Sequence, residues 1–437
     1  MTKKTQIVVV GGGAGGLELV RRLGAHFGRE RYDIILVEPQ SAHIWKPLLH
    51  EVAAGALDAN LDEVGYRSHA HRWRYRFFMG RMEGIDRETR HVIIAPIFDE
   101  DGGEIIGRQR IRYDYLVIAI GSITNSYGVP GVDQHCFFLD TRAEADRFRL
   151  KLLNQCLRVS RQMSEDPESD AHVRVAIVGG GATGVELAAE LYNAAAALRH
   201  YGLEVFDESR LEITLLEGGP RILPALPDKL AEAAKAELEA LGVHVKVGAH
   251  ASEVTAEAIK TKEGDVIAAD LKVWAAGVKA PNFLQGIAGL ETNANNQLIV
   301  RETLQTTRDH RIFALGDCCA APQPGSERPV PPRAQAANQM AETVFANLKR
   351  MIAGRPLQGF RYRDYGSLVS LSTYSTVGSL MGGLIGGRLA LEGRLARFVY
   401  VSLYRKHLLG VHGALGGLVQ IAISQLNHVI RPRLKLH

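Results

Sequence analysis

Apolar residues in this chain gather in short β-branched runs that stop at glycines and give way to helical spacing. The first run, Gln6-Ile7-Val8-Val9-Val10, is followed by Leu17, Val20 and Leu23 at helical intervals, which predicts a strand and then a helix. A second strand, Asp33 to Val37, ends in Glu38. The same order returns at Val173 to Val178, the helical pattern Val185 to Leu191, and the strand Leu211 to Leu216, which ends in Glu217. Tyr115 to Ile120 and Leu271 to Ala276 read as buried strands that finish at Gly121 and Gly277. Ile312 to Leu315 leads to Gly316-Asp317, and Pro331-Pro332 precedes a helix expected to run to about Met351. Arg72-Trp73-Arg74-Tyr75-Arg76-Phe77 alternates strictly and is expected to be a strand with one solvated face. Strands alternating with helices predict an α/β protein with two doubly wound Rossmann-type domains.

What lies between strand and helix carries the chemistry. Gly11 to Gly16 reads GGGAGG, so Gly11, Gly13 and Gly16 fit G-x-G-x-x-G, with Ala14 and Gly15 inside the loop. The three glycines have separate tasks: a tight turn, backbone approach to a pyrophosphate, and close packing of helix on strand. The phosphates would sit at a helix N-terminus, where N–H groups and the dipole favour anions. Glu38 lies 22 residues past Gly16, about where a ribose-binding carboxylate belongs. Gly179, Gly181 and Gly184 repeat the spacing, and Glu217 follows 33 residues past Gly184, the longer gap being an insertion at roughly 193–210. Glu217 would accept from a ribose 2′-hydroxyl and repel a 2′-phosphate, which favours NADH over NADPH.

Smaller features qualify this picture. Ser41 to Ala53 reads as a loop turning into a short helix, with Lys46 able to face the electron-rich edge of a flat cofactor ring or simply to lie on a packed surface helix. Asp317 can hold a sugar hydroxyl or cap a helix. Gln335 and Asn338 share one helical face. Asp166 to Asp170 is polar, holds a proline, and reads as the loop before the second domain.

At 437 residues the chain accommodates two or three domains, and 46% hydrophobic with 23% charged residues is ordinary globular composition. Four cysteines show no C-x-x-C pair and no zinc spacing, so structural thiols in a reducing compartment and no metal are expected. Met1 to Lys4 leads directly into the first strand without an apolar leader, so the N-terminus is expected to stay in the cytoplasm. Charge is uneven: Arg388 to His437 holds eight Lys/Arg against one acid, Glu392, a net of +7 that leaves −3 for the rest. Nucleic-acid binding by the main body is therefore disfavoured. Leu408 to Ile423 is broken by His412 and Gln420 and does not suit a spanning helix. The apolar, aromatic and basic residues from Leu395 to Ile430 suit an interfacial amphipathic segment instead, and the tail alone is expected to bring the protein to a membrane.

As a set, the glycine loops at Gly11 and Gly179, the strand ends at Gly121 and Gly277, and Gly316-Asp317 resemble the two-dinucleotide flavoprotein reductases over about residues 5–350. Trp45 to Glu51, Gly121 to Asn125, Pro332 to Ala337 and the ending Arg431 to His437 look like bacterial type II NADH:quinone oxidoreductase, a likeness that spans the whole chain. The resemblance implies domains at 1–135 and 281–373 for FAD, 136–280 for NADH, and a membrane-association segment at 374–437. It implies that FAD uses the first glycine loop, Glu38, Gly121 and Asp317; Lys46, Gly316, Ala334 and Gln335 are expected at the same cofactor, the helix N-terminus beside Ala334 stabilising negative charge on its ring. NADH would use Gly179, Gly181, Gly184, Glu186, Glu217 and Gly277. Glu186 matches a glutamate placed near nicotinamide and quinone, and Gln335 a glutamine at flavin and quinone. Asn338 stands where some members have histidine.

The activity implied is hydride transfer from NADH to FAD and two electrons on to a membrane quinone, at the cytoplasmic face and without proton pumping. A soluble reductase of a ferredoxin or rubredoxin and a non-catalytic NADH-sensing flavoprotein are the alternatives. The sequence leaves the quinone and the oligomeric state, homodimer included, open.

Overall fold

The computed structural model describes residues 4–57, 63–198, 206, 208–371, 375–382, 387–392, 408–413, 416–420 and 422–423. The chain divides into two compact units. Unit 1 takes Met1–Trp45, Glu63–Ile123 and Lys279–Asp364, and unit 2 takes Lys46–Asp62, Thr124–Val278 and Tyr365–His437.

Unit 1 begins with β1 (Thr5–Val10), α1 (Ala14–Phe27) and β2 (Tyr32–Glu38). The chain then lends a short helix, α2 (Leu49–Ala54), to unit 2 before it returns with α3 (Tyr66–Arg72), β3 (Arg76–Met79) and β4 (Tyr115–Ile118). Unit 2 continues with α4 (Arg142–Glu165), β5 (Val173–Val178), α5 (Ala182–Leu198), β6 (Leu211–Glu217), β7 (His244–Val247) and β8 (Leu271–Trp274). Unit 1 is completed by β9 (Ile312–Ala314) and α6 (Ala334–Ile352), and β10 (Gly366–Leu371), β11 (Ser375–Gly382) and β12 (Gly387–Glu392) form an antiparallel sheet in unit 2.

The five strands of unit 1 run parallel in the order β9-β4-β1-β2-β3, and the four of unit 2 run parallel as β7-β6-β5-β8. Parallel central strands are covered on both faces, which is why Ile7, Val8, Val9 and Val175, Ala176, Ile177 are almost wholly buried and read as unbroken apolar runs. In each unit a three-stranded antiparallel meander replaces the last crossover helix. Met82–Asp86, His91–Ile94 and Gln109–Arg112 precede β4, and Ala251–Val254, Ala258–Thr261 and Val266–Ala268 precede β8. The duplication therefore reaches further than the glycine loops and strand ends that betray it in the sequence.

One expectation is corrected. Arg72 to Phe77 is not a single strand: α3 ends at Arg72, Arg74 turns the chain with φ +59°, and β3 starts at Arg76. Tyr66, His69 and Ala70 are buried at helical spacing. The exposed arginines still alternate with Trp73, Tyr75 and Phe77, because a helix end, a left-handed turn and a strand start succeed one another.

Candidate functional site

In unit 1 the turn after β1 is built for closeness. Gly11 has φ +104°, and a Cβ on it would lie 2.3 Å from the carbonyl oxygen of Ala119. A Cβ on Gly16 would lie 1.9 Å from the oxygen of Gly11, so α1 can pack on β1 only without a side chain there. Gly13, the N-cap of α1, faces open space, has no side-chain cap, and is followed by no acid in the first helical turn. The three positions thus divide into turn, open approach and close packing, the division that a bound pyrophosphate needs. A Cβ on Gly15 would meet the oxygen of Ala337 at 2.8 Å, which sets the start of α1 against the start of α6. The first turn of α6 likewise carries no acid and no side-chain cap. Two helix N-termini thus converge where negative charge is favoured.

Carboxylates close the arrangement. Glu38 Oε2 accepts the N–H of Gly12 at 2.8 Å, and Oε1 accepts that of Gln40 at 3.2 Å. Burial raises its pKa above the usual carboxylate range, while these N–H donors pull the other way. Tyr66 donates to the carbonyl of Gly12 at 2.8 Å. Asp317, in the short turn Gly316–Cys318, accepts from the Ser122 hydroxyl at 2.9 Å, and Gln297 donates to its backbone carbonyl at 3.0 Å. Gly121 (φ +72°) and Gly316 (φ +73°) adopt left-handed conformations at the ends of neighbouring strands. Along α6, Gln335 Nε2 donates to Asp364 at 3.3 Å, where Arg333 also binds. One turn on, Gln339 exchanges two 2.9 Å hydrogen bonds with the backbone of Arg363. Among the described residues, the buried Oδ1 of Asn338 has no hydrogen-bond partner.

Unit 2 repeats the design almost atom for atom. Gly179 has φ +114°, and its Cβ would meet the Ala275 carbonyl at 2.7 Å. That of Gly184 would lie 2.0 Å from the oxygen of Gly179, and Gly181 faces open space. Glu217 Oε2 accepts from Gly180 N–H at 2.7 Å and Oε1 from Gly219 N–H at 2.6 Å. Gly277 (φ +70°) accepts from Asn125 N–H at 3.2 Å.

Glu186, in the second turn of α5, is buried, and its Oε1 accepts the N–H of Ser370 at 3.0 Å. His50 Nδ1 approaches its Oε2 at 3.6 Å, beyond a normal hydrogen bond. Burial pushes the pKa of His50 down to about 4, so at neutral pH an uncharged ring faces the carboxylate and the contact is not an ion pair. His50 falls within the Trp45 to Glu51 stretch, but its nearness to Glu186 is a tertiary fact with no sequence signal. Lys46 also lies in unit 2, where its ammonium is 2.8 Å from Asp140, itself an acceptor for the N–H of Thr124 at 2.7 Å.

Cys318 and Cys319 are packing residues. Both are buried, the Cys318 thiol donates to the Leu315 carbonyl at 3.3 Å, and desolvation pushes its pKa up to about 12. Among the described residues no group of three or more His, Cys, Asp or Glu could hold a metal ion.

Two glycine-loop sites, each with a carboxylate bound to its second glycine, define a two-dinucleotide oxidoreductase. Residues 5–341 match the family described as pyridine nucleotide-disulphide oxidoreductase, and the chain belongs to that family. Within it the chain is a member of the type II NADH:quinone oxidoreductase group. It is 44% identical over 442 residues to the enzyme so named in Haemophilus influenzae, covering 99% of each, and 27% identical over 394 residues to that of Staphylococcus aureus. In fold it is similar to NDH2 from Plasmodium falciparum, solved in complex with NADH (TM-score 0.81, 20% identity, 99% of this chain and 100% of that one).

Proposed function

We propose that this protein oxidises NADH and reduces a quinone, with FAD held by unit 1 and NADH by unit 2. The observation that carries the reading is the duplicated loop geometry, which equips each unit for one dinucleotide, in a chain 44% identical to a type II NADH:quinone oxidoreductase. FAD, when bound, supplies a ring that accepts an electron pair and can release it singly or together. The balance is NADH, one proton and quinone giving NAD⁺ and quinol.

The chain's own residues hold and orient. Gly11 to Gly16 and the start of α1 bind the FAD pyrophosphate, Glu38 a ribose, and Asp317, steadied by Ser122, a sugar-like hydroxyl. Gly121 and Gly316 would let the backbone approach, Asn338 Oδ1 would be an acceptor available to the group, and the start of α6, with Ala334 and Gln335, would favour negative charge on the ring. Gly179 to Gly184, Glu217 and Gly277 hold NADH. Glu186 and Gln335 serve the nicotinamide and quinone ends of the reaction. Lys46, which belongs to unit 2, is paired there with Asp140.

The quinone is a membrane one, and segment 374–437, which holds the whole +7 of the C-terminal charge, supports peripheral attachment at the cytoplasmic face. Most of that segment lies outside the described residues. Among those described, no helix is long and apolar enough to cross a membrane.

The test is steady-state NADH oxidation by the FAD-loaded protein with a water-soluble short-chain quinone. One quinol formed per NADH is expected. Turnover only with an iron–sulfur protein as acceptor, or none beyond a single reduction, would overturn the reading.

A further inference from the structure

α4 packs into unit 2 through Ala145, Phe148, Leu152, Cys156 and Val159, the i, i+3, i+4 stripe of an ordinary amphipathic helix, and it begins with a capping box between Thr141 and Glu144. That accounts for one face. A second apolar ridge, Leu150, Leu153 and Leu157, runs along the outer side, and Leu150 and Leu157 are 49% and 48% exposed. Leu153 between them is half-buried, and the exposed flanks of Leu150 and Leu157 continue its apolar surface out to solvent.

Beside this ridge runs a row of cations. From Arg147 to Arg161 the helix holds Arg147, Arg149, Lys151, Arg158 and Arg161 and no acid; its carboxylates, Glu144, Asp146 and Glu165, sit near its two ends. Arg149 pairs with Asp146 and Arg161 with Glu165. Arg147, Lys151 and Arg158 are exposed and pair with no carboxylate among the described residues: Arg147 lies over the Phe137 ring at 5.2 Å, and Arg158 donates to Gln155. Next to the ridge an apolar cleft opens between α4 and α5, lined by Leu150, Leu153, Leu191, Ala195 and Leu198.

We propose that the outer face of α4 docks on an anionic phospholipid surface, with the leucine ridge entering the acyl boundary and Arg147, Lys151 and Arg158 on headgroup phosphates. The pattern is that of an interfacial helix, apolar on one ridge and basic along its border. A second copy of the chain is a poor occupant: a two-fold contact sets the patch against itself and brings like charges together. Unit 2 also leaves Leu418, Val419 and Ile423 of its described tail exposed, at 59%, 52% and 47%, so the same unit carries two apolar surfaces that a lipid boundary can receive. The C-terminal segment is then one of two attachments.

The experiment is vesicle co-sedimentation of the full-length, FAD-loaded protein on phosphatidylcholine alone and on phosphatidylcholine mixed with phosphatidylglycerol. With roughly fivefold in affinity expected per cation near an anionic surface, Arg147→Glu/Lys151→Glu/Arg158→Glu should bind mixed vesicles at least about tenfold more weakly and leave phosphatidylcholine binding unchanged. Leu150→Gln/Leu157→Gln should lose affinity for both. Each variant should keep the thermal midpoint and the NADH oxidation rate with a water-soluble quinone, since its changes are on the surface and outside the cofactor sites. Binding within about twofold of the parent for both variants would overturn the proposal, as would loss of binding only on removal of residues 424–437. A leucine variant that turns a dimer into a monomer while holding vesicles normally would reassign the ridge to self-association.

Discussion

The Glu217 carboxylate takes the N–H of Gly180 at 2.7 Å, so the acid expected to read the ribose also holds the loop that binds the phosphates. A carboxylate has about four acceptor sites, which leaves room for ribose hydroxyls beside the N–H bonds from Gly180 and Gly219. Glu217→Ala should therefore act twice, by removing a charged acceptor for the ribose and by loosening the loop. A loss of about 1.5–3 kcal/mol in NADH binding, roughly ten- to hundredfold in KM, is expected, together with a weaker bias against NADPH. Steady-state kinetics with both nucleotides decides it, and unchanged constants would assign ribose reading elsewhere.

Gly16→Ala places a methyl 1.9 Å from the Gly11 carbonyl oxygen, backbone against backbone, where no rotamer gives relief. The helix must lift from the strand, at about 1–3 kcal/mol or more. The purified variant should carry little FAD and melt at lower temperature. Full flavin content by absorbance would show that the loop tolerates the shift.

Gln335→Leu removes a side chain that donates to Asp364 at 3.3 Å. Flavin reoxidation by quinone should slow more than flavin reduction by NADH, because the residue is assigned to the acceptor side. Stopped-flow traces separate the two steps. Equal slowing would make Gln335 a structural side chain of α6, as Gln339 is, and nothing more.

His50 titrates near 4 in the folded chain against 6.5 when exposed, because burial penalises the charged ring. The unfolded chain therefore binds the extra proton first as pH falls. The stability that His50 contributes is intact above about pH 6.5 and is lost progressively down to about pH 4, to a total of roughly 3 kcal/mol. Urea midpoints taken from neutral to mildly acid pH should fall more steeply for the parent than for His50→Gln. Parallel curves would mean that the ring is hydrated.

Removing residues 424–437 takes away Arg431, Arg433 and Lys435 and leaves in place the buried Leu408 and Val411. The shortened protein should keep FAD and oxidise NADH with a soluble quinone, and bind anionic vesicles more weakly. High salt should release the intact protein only in part, since screening weakens charge attraction and leaves apolar burial. Unchanged vesicle binding would clear the last residues of any anchoring role.

Strand, glycine turn and helix were legible at Gln6 to Leu23 and again at Val173 to Leu191 because each step rests on local rules: β-branched runs, glycine at positive φ, helical spacing. Glu38 and Glu217 were legible as strand ends because each closes an apolar run of a parallel strand. The Arg72 to Phe77 stretch was misread because alternating exposure has more than one backbone solution, and Arg74 at φ +59° is not a residue that announces a left-handed turn. The nearness of His50 to Glu186, the commitment of Lys46 to Asp140 and the second ridge of α4 depend on which surfaces the tertiary fold covers, and no spacing rule contains that.

The sheet of unit 1 sets Leu116 beside Ile312, and α6, which meets α1 at Gly15, comes later still. A ribosome must therefore finish all four strands of the unit 2 sheet, from β5 to β8, before the first-made strands have their last neighbour. The parallel sheet of unit 2 can form while that of unit 1 waits with an open edge at β4, and loop closure over so long a span slows the final step. The FAD cradle proposed above draws on both ends of unit 1, so flavin uptake should report the closing of that sheet.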